Sequence, residues 1–128
     1  MGTRKTTMAA ARAPRLATAF DRSLSACLLG LRTEVEKPLA KPRQSKNLVA
    51  LEQMAARLSD SLVQVSGRRA ADLPERLEEL EYPFEKLTAF FAGERTGLDH
   101  RAVEILAEYV RDRLLEIRII AKELDAKR

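Results

Sequence analysis

The chain has 128 residues, 45% hydrophobic and 33% charged but only 5% aromatic, with five Gly and no Trp. This suits one domain with a core that needs no staples, and the Ala-, Leu-, Glu- and Arg-rich mix points to helices rather than a sheet. The single cysteine, Cys27, excludes an intrachain disulfide and favours a reducing compartment, the cytoplasm, while no apolar run is long enough for a transmembrane segment.

The net charge of +4 is unevenly spread, because residues 1–46 hold ten Lys or Arg against three acids and leave an acidic excess of three for the rest. Met1 to Phe20 carries Arg4, Lys5, Arg12 and Arg15 and no acid. Residues 1–13 therefore read as a basic arm ahead of a single domain over 14–128. Three readings fit the arm: a solvated, disordered tail, a segment that contacts phosphates or an acidic partner, or a targeting segment. Gly2 and Thr6 also fit the short N-myristoylation pattern.

Four helical segments follow. In the first, Leu16, Phe20, Leu24, Cys27, Leu28, Leu31 and Val35 recur at helical spacing, with Pro14 suited to a first turn and an end near Lys37. Gly30 weakens its last turns, and Pro38 and Pro42 enforce the connection. In the second, Leu48, Leu51, Ala55, Leu58, Leu62 and Val65 alternate spacings of three and four, the seam of a packed helix pair. Ser45 or Asn47 can cap its start and Gly67 stops it.

The third segment is expected to start at Asp72 or Leu73 with Pro74 as its first helical residue. Leu77, Leu80, Phe84, Leu87, Phe90 and Phe91 keep the period across Pro83, which removes a donor and crowds the carbonyl four residues back, so a kink, or two short helices meeting, is expected there. The fourth runs from about His100 to Leu124. Its stripe of Val103, Leu106, Tyr109, Val110, Leu114, Ile117, Ile120 and Leu124 covers roughly 140° of arc. Ile105, Leu115 and Ile119 fall on the far side among charged residues, an arrangement that suits a second interface and a homo-oligomer. Four such segments joined by short turns predict an all-α, antiparallel four-helix bundle with a kinked third helix.

Chemistry-bearing motifs are scarce. Neither GxxxxGK[ST] nor GxGxxG occurs, one Cys and one His do not make a zinc or haem site, and there is no Glu-x-x-His for a di-iron bundle. No metal and no cofactor is therefore expected. Cys27 lies on an apolar stripe, where an inert thiol is the common state. Glu75, Glu78, Glu79, Glu81 and Glu85 form an acidic cluster that reads first as a wet helix face, and otherwise as a site for a hard cation or a dock for a basic partner or for this chain's own arm.

Arg95 and His100 remain. An Arg, four residues and a His resembles the signature of the HEPN ribonucleases, small all-helical proteins that cleave RNA without a metal. The resemblance implies that Arg95 and His100 face RNA across a dimer, with the apolar Leu98 between them. Read locally, the same stretch is a helix start. Gly93 and Gly97 bracket a turn, Asp99 is a suitable N-cap, and Leu98 and Val103 are placed as a hydrophobic staple.

The first expectation for function is a non-enzymatic, oligomeric interaction protein with a protein partner. The second is a nucleic-acid-associated protein in which Arg4, Lys5, Arg12, Arg15, Lys41, Arg43, Lys46, Arg68 and Arg69 contact phosphates. The HEPN-like ribonuclease is the third.

Overall fold

The computed structural model describes residues 15–37, 41–63 and 68–127. The basic arm with Pro14, the stretch with Pro38, and the stretch with Val65 and Gly67 lie outside these residues. A 3-10 turn, Leu16–Ala19, precedes α1 (Leu24–Glu36), α2 (Lys46–Leu62), α3 (Arg68–Glu78), α4 (Glu81–Phe91) and α5 (His100–Ala126). Helices α3 and α4 are the two halves of one bent helix, so the molecule is an all-α four-helix bundle, with no strand among the described residues. On one side α1 packs against α2 and α5; on the other the bent helix packs against the same two.

The first segment is not one helix. Its apolar residues are buried as its period requires, Leu16, Phe20, Leu24, Leu28, Leu31 and Val35 among them, but Phe20 is extended and the chain turns before α1 begins. Asp21 makes that turn, its Oδ1 accepting from the Ser23 amide at 2.9 Å. An Asp side chain that bonds the backbone two residues on competes with helix continuation. The detached turn is held from far away in sequence. Both oxygens of the Asp125 carboxylate, near the end of α5, accept from it, Oδ1 from the Leu16 amide at 2.7 Å and Oδ2 from the Ala17 amide at 2.8 Å. A buried carboxylate is stable here because it satisfies two otherwise unpaired donors at a helix start.

Helix α2 begins where Ser45 caps it, the hydroxyl accepting from the Leu48 amide at 3.1 Å. Asn47 has a different role and donates to Glu34 at 3.0 Å. The carboxamide of Asn47 lies where a Cβ on Gly30 would sit, 2.6 Å away, so glycine in α1 permits this close approach. The buried face of α2 is Leu48, Leu51, Met54 and Leu58. Met54 takes the core place expected for Ala55, and the seam is turned accordingly.

The bent helix differs from expectation at Pro74 and follows it at Pro83. It starts at Arg68 rather than Asp72 or Leu73, and Pro74 stands inside α3. Burial of Ala70 and Leu73 against the bundle gives the additional turn a packing role. The break falls at Glu79–Leu80, ahead of Pro83. Pro83 has no amide to offer the Glu79 carbonyl and its ring crowds that oxygen, so the helix parts at the residue four back from the proline. Pro83 itself is buried in the first turn of α4.

Gly93 and Gly97 both have positive φ, 79° and 73°, and carry the chain from α4 to α5. The Asp99 side chain then caps α5, accepting from the Ala102 amide at 2.8 Å. The buried face of α5 is Val103, Ala107, Val110, Leu114, Ile117, Ala121 and Asp125, turned by roughly 50° from the stripe of large side chains at 100° per residue. Small residues cause the offset. Ala107 and Ala121 are buried on this face, while Leu106, Tyr109, Ile120 and Leu124 are only half-buried.

Candidate functional site

A groove of about 750 Å³ lies between α2 and the bent helix. From α2 it takes Glu52, Ala55, Ala56 and Ser59, positions at i, i+3, i+4 and i+7 that share one helix face. The bent helix supplies Pro74, Leu77, Glu78, Glu81, Phe84, Glu85, Thr88 and Ala89, and Glu94 follows it. Ala55, Leu77, Phe84 and Ala89 form a half-buried apolar floor. Ala55 reaches this floor because Met54 occupies the core beside it.

The rim is acidic. Glu52, Glu78, Glu81, Glu85 and Glu94 line the groove, with no Lys or Arg among the lining residues. None of the five is ion-paired with a described residue, and among their side chains only that of Glu52 hydrogen-bonds one, accepting from the Thr88 hydroxyl at 3.1 Å. Past that bond the groove continues into a hollow of about 400 Å³ beside Pro42, Leu48 and Ala92. The carboxylates are strung along the walls rather than gathered at a point. Among the described residues no three His, Cys, Asp or Glu side chains converge as a metal site would require.

The acidic cluster read from the sequence is divided by the fold. Glu78, Glu81 and Glu85 face the groove, whereas Glu75 and Glu79 line a different hollow with Asp72 and Arg76. Glu79 belongs to a clamp between α3 and α5. Its Oε2 accepts from the Tyr109 hydroxyl at 3.0 Å and lies 3.7 Å from Arg113 Nε, while Arg113 also pairs with Glu116 at 3.0 Å and sits over the Tyr109 ring at 5.1 Å. Arg76 bonds Glu116 from the opposite side. Desolvation, and then the Glu79 carboxylate, push the Tyr109 hydroxyl above its ordinary pKa. Glu52 and Glu94 complete the groove rim but are not legible as members of a cluster, since each lies on a different element.

Only some of the basic candidates are described. Arg4, Lys5 and Arg12 lie outside the described residues, as do the side chains of Arg68 and Arg69. Arg15, Lys41 and Lys46 are exposed. Arg43 is used structurally, pairing with Glu34 at 3.3 Å, stacking over Phe91 at 5.2 Å and donating its amide to the Phe91 carbonyl at 2.7 Å. Lys46 is the first residue of α2 and Arg68 the first of α3.

His100 begins α5 and its Nε2 lies 2.8 Å from the Glu104 carboxylate one turn on. Arg95 is exposed in the preceding loop and makes no hydrogen bond or ion pair with a described residue. Leu98 packs on the core. On α5, Ile105 and Ile119 are 50% and 57% exposed, whereas Leu115 is partly buried against the core. The two isoleucines stand four turns apart with Glu108, Asp112 and Glu116 between them on that face. Cys27 is half-buried, its thiol 3.7 Å from the Ser23 hydroxyl.

These observations define a helical bundle with an acidic-rimmed side groove. No family model matches the chain, and no curated protein or solved structure does. No described helix is long and apolar enough to cross a membrane.

Proposed function

We propose that the chain is a non-enzymatic helical-bundle interaction protein whose working surface is the groove between α2 and the bent helix. The observation that carries this reading is the rim of five carboxylates without basic partners above an apolar floor. Glu34, Glu79 and Glu116, on other faces of the bundle, are ion-paired. Unpaired like charges along one groove raise the free energy of the folded chain slightly and fall to a cation-bearing ligand. The partner is accordingly a protein segment with Lys or Arg flanking small apolar residues. A nucleic acid would meet repulsion from the same carboxylates.

Fluorescence anisotropy with a labelled peptide of alternating Lys and Ala/Leu character tests this. Binding is expected to weaken steeply with salt and to fall about tenfold in the pair Glu81→Gln and Glu85→Gln, at roughly 0.5–1 kcal/mol per exposed pair lost. Binding that is unchanged in that double variant sinks the reading.

Self-association through α5 is a second reading, favoured by the exposure of Ile105 and Ile119. Sedimentation equilibrium decides it: a monomer at high concentration removes it, and a dimer dissociated by Ile105→Lys with Ile119→Lys supports it.

A further inference from the structure

We propose that the groove of one molecule receives the α1/α5 edge of a second copy of this chain, so that the protein assembles head to tail. The inference rests on the groove being the working surface, and it names the occupant.

The occupying surface is a strip on α5. Arg111, Leu115, Arg118, Ile119 and Lys122 follow one another at i, i+4, i+7, i+8 and i+11 and share one helix face. Arg111 lines a small hollow with Leu28, Arg32, Val35 and Glu36 of α1, which places the strip on the flank of α5 toward α1. Arg118 and Lys122 have no ion pair with a described residue. Asp112 and Glu116, the only acids between Arg111 and Lys122, are turned by roughly 80° or more from the middle of the strip at 100° per residue. Ile119 is 57% exposed, and Leu29 of α1 is 63% exposed. Leu29 stands three and seven residues before Arg32 and Glu36, and so belongs to the same edge.

Groove and strip match in charge, spacing and apolar content. The groove contributes five glutamates and no base, and the strip contributes three bases and no acid. Arg118 and Lys122 are four residues apart, about 6 Å along α5, and Glu81 and Glu85 are four apart on α4 with the same rise. Ile119, beside Arg118, is an apolar anchor for the half-buried floor of Leu77 and Phe84, as when an amphipathic helix seats in a groove. One molecule cannot make this contact with itself. Helix α1 packs against α2 and α5, and the bent helix packs against the same two, so the α1/α5 edge and the groove stand on opposite sides of the bundle. Each contact between two copies therefore leaves one strip and one groove open for the next.

Sedimentation velocity of the full chain over a range of concentrations reads this out. The native protein should pass beyond a dimer as concentration rises and return to monomer in about 1 M salt. Arg118→Glu with Lys122→Glu reverses the strip, and Glu81→Lys with Glu85→Lys reverses the groove. Each double variant alone should associate about tenfold or more weakly than the native chain, because like charges then face one another. An equal mixture of the two should assemble again, since each strip then meets a groove of opposite charge on the other variant. Ile105→Lys, which lies off the strip, should assemble as the native chain does. A native chain that stays monomeric or stops at a dimer overturns the inference. So does a double variant that associates as the native chain does, a mixture that stays monomeric, or the loss of assembly in Ile105→Lys.

Two further measurements guard against misfolded variants and against failure of the groove itself. Carbodiimide treatment of an equilibrated mixture of 14N- and 15N-labelled native protein, which joins a lysine amine to a carboxylate in direct contact, should link Lys122 to a rim glutamate with mixed-isotope pairs among the products. Links within single chains only, or no link to the rim, overturn the inference. The reversed-strip variant keeps its groove and should bind the labelled basic peptide at least as tightly as the native chain. Peptide binding without self-assembly of the native chain overturns the inference and leaves the interaction surface standing. No peptide binding by the reversed-strip variant overturns the interaction surface as well.

Discussion

Helix α2 treats charge differently on its two flanks. Toward α1, Glu34 accepts from the Ser45 hydroxyl at 2.6 Å and from Asn47 at 3.0 Å, and pairs with Arg43. On the same side Arg57 reaches the Ala19 carbonyl and Asp21. Toward the bent helix, five glutamates line an open seam with one hydrogen bond among them. Two seams built from the same residue types thus differ in whether their acids are satisfied. On the closed side the carboxylates join elements together; on the open side only Glu52 does so, through the Thr88 hydroxyl, and the other four have no such bond with a described residue.

The largest effect that would sharpen this contrast is at Asp125. Replacing it with Ala leaves the Leu16 and Ala17 amides without acceptors, a loss of about 3 kcal/mol for charge-assisted bonds to buried donors. Urea denaturation should show it, with Asp125→Asn losing less because one acceptor remains. A loss under 1 kcal/mol would mean that the detached turn is held by packing alone.

Glu34→Gln comes next, with about 1–2 kcal/mol expected at pH 7. Burial alone would raise the pKa of Glu34, but the bonds from Ser45 and Asn47 and the Arg43 charge outweigh it and hold the group below its ordinary value of 4.5. The folded state therefore binds this proton less readily than the unfolded state. Its stabilisation is complete above pH 4.5 and is lost as the pH falls through the lower folded value. Melting curves across that window should be flatter for Glu34→Gln than for the native chain, and parallel curves would remove Glu34 from the account.

On the open seam the double variant Glu81→Gln, Glu85→Gln should leave stability within about 0.5 kcal/mol of native, or raise it slightly, because it removes like charges that have no partners. A loss above 1 kcal/mol would show that these carboxylates are structural and would abolish the contrast. The smallest effect concerns Gly30. Alanine there adds up to about 1 kcal/mol of helix propensity but meets the Asn47 carboxamide. Gly30→Ala should stabilise the chain more in an Asn47→Ala background than alone, by a few tenths of a kcal/mol; a coupling of zero would break the link between this glycine and the closed seam.

Much of the fold was legible because helical period and turn chemistry are local. Leu24, Leu28, Leu31 and Val35 are buried as their spacing requires, and Asp99 and Ser45 cap as their positions imply. The errors came from residues whose neighbours are distant. Asp21 interrupts the first segment through a local turn, and the piece before it is held by distant residues, Asp125 and Arg57. Ala107 and Ala121 carry little hydrophobic signal, yet they define where α5 faces its neighbours.

The site shows the same division. Three of its carboxylates were visible as a run, but that run also contained Glu75 and Glu79, which stand four residues apart on a neighbouring helix face and line a different hollow. Glu52 and Glu94 joined the rim only through packing.

By itself the sequence determined an all-α bundle of four segments, the caps and turns between them, and the segregation of base to one end of the chain. These follow from interactions within a few residues, where periodicity and side-chain chemistry suffice. The tertiary structure decided which acids are paired and which line a common groove. Ion pairing depends on which helix faces turn toward one another, and small residues and a proline-induced break set those faces across distances in sequence that no local pattern spans.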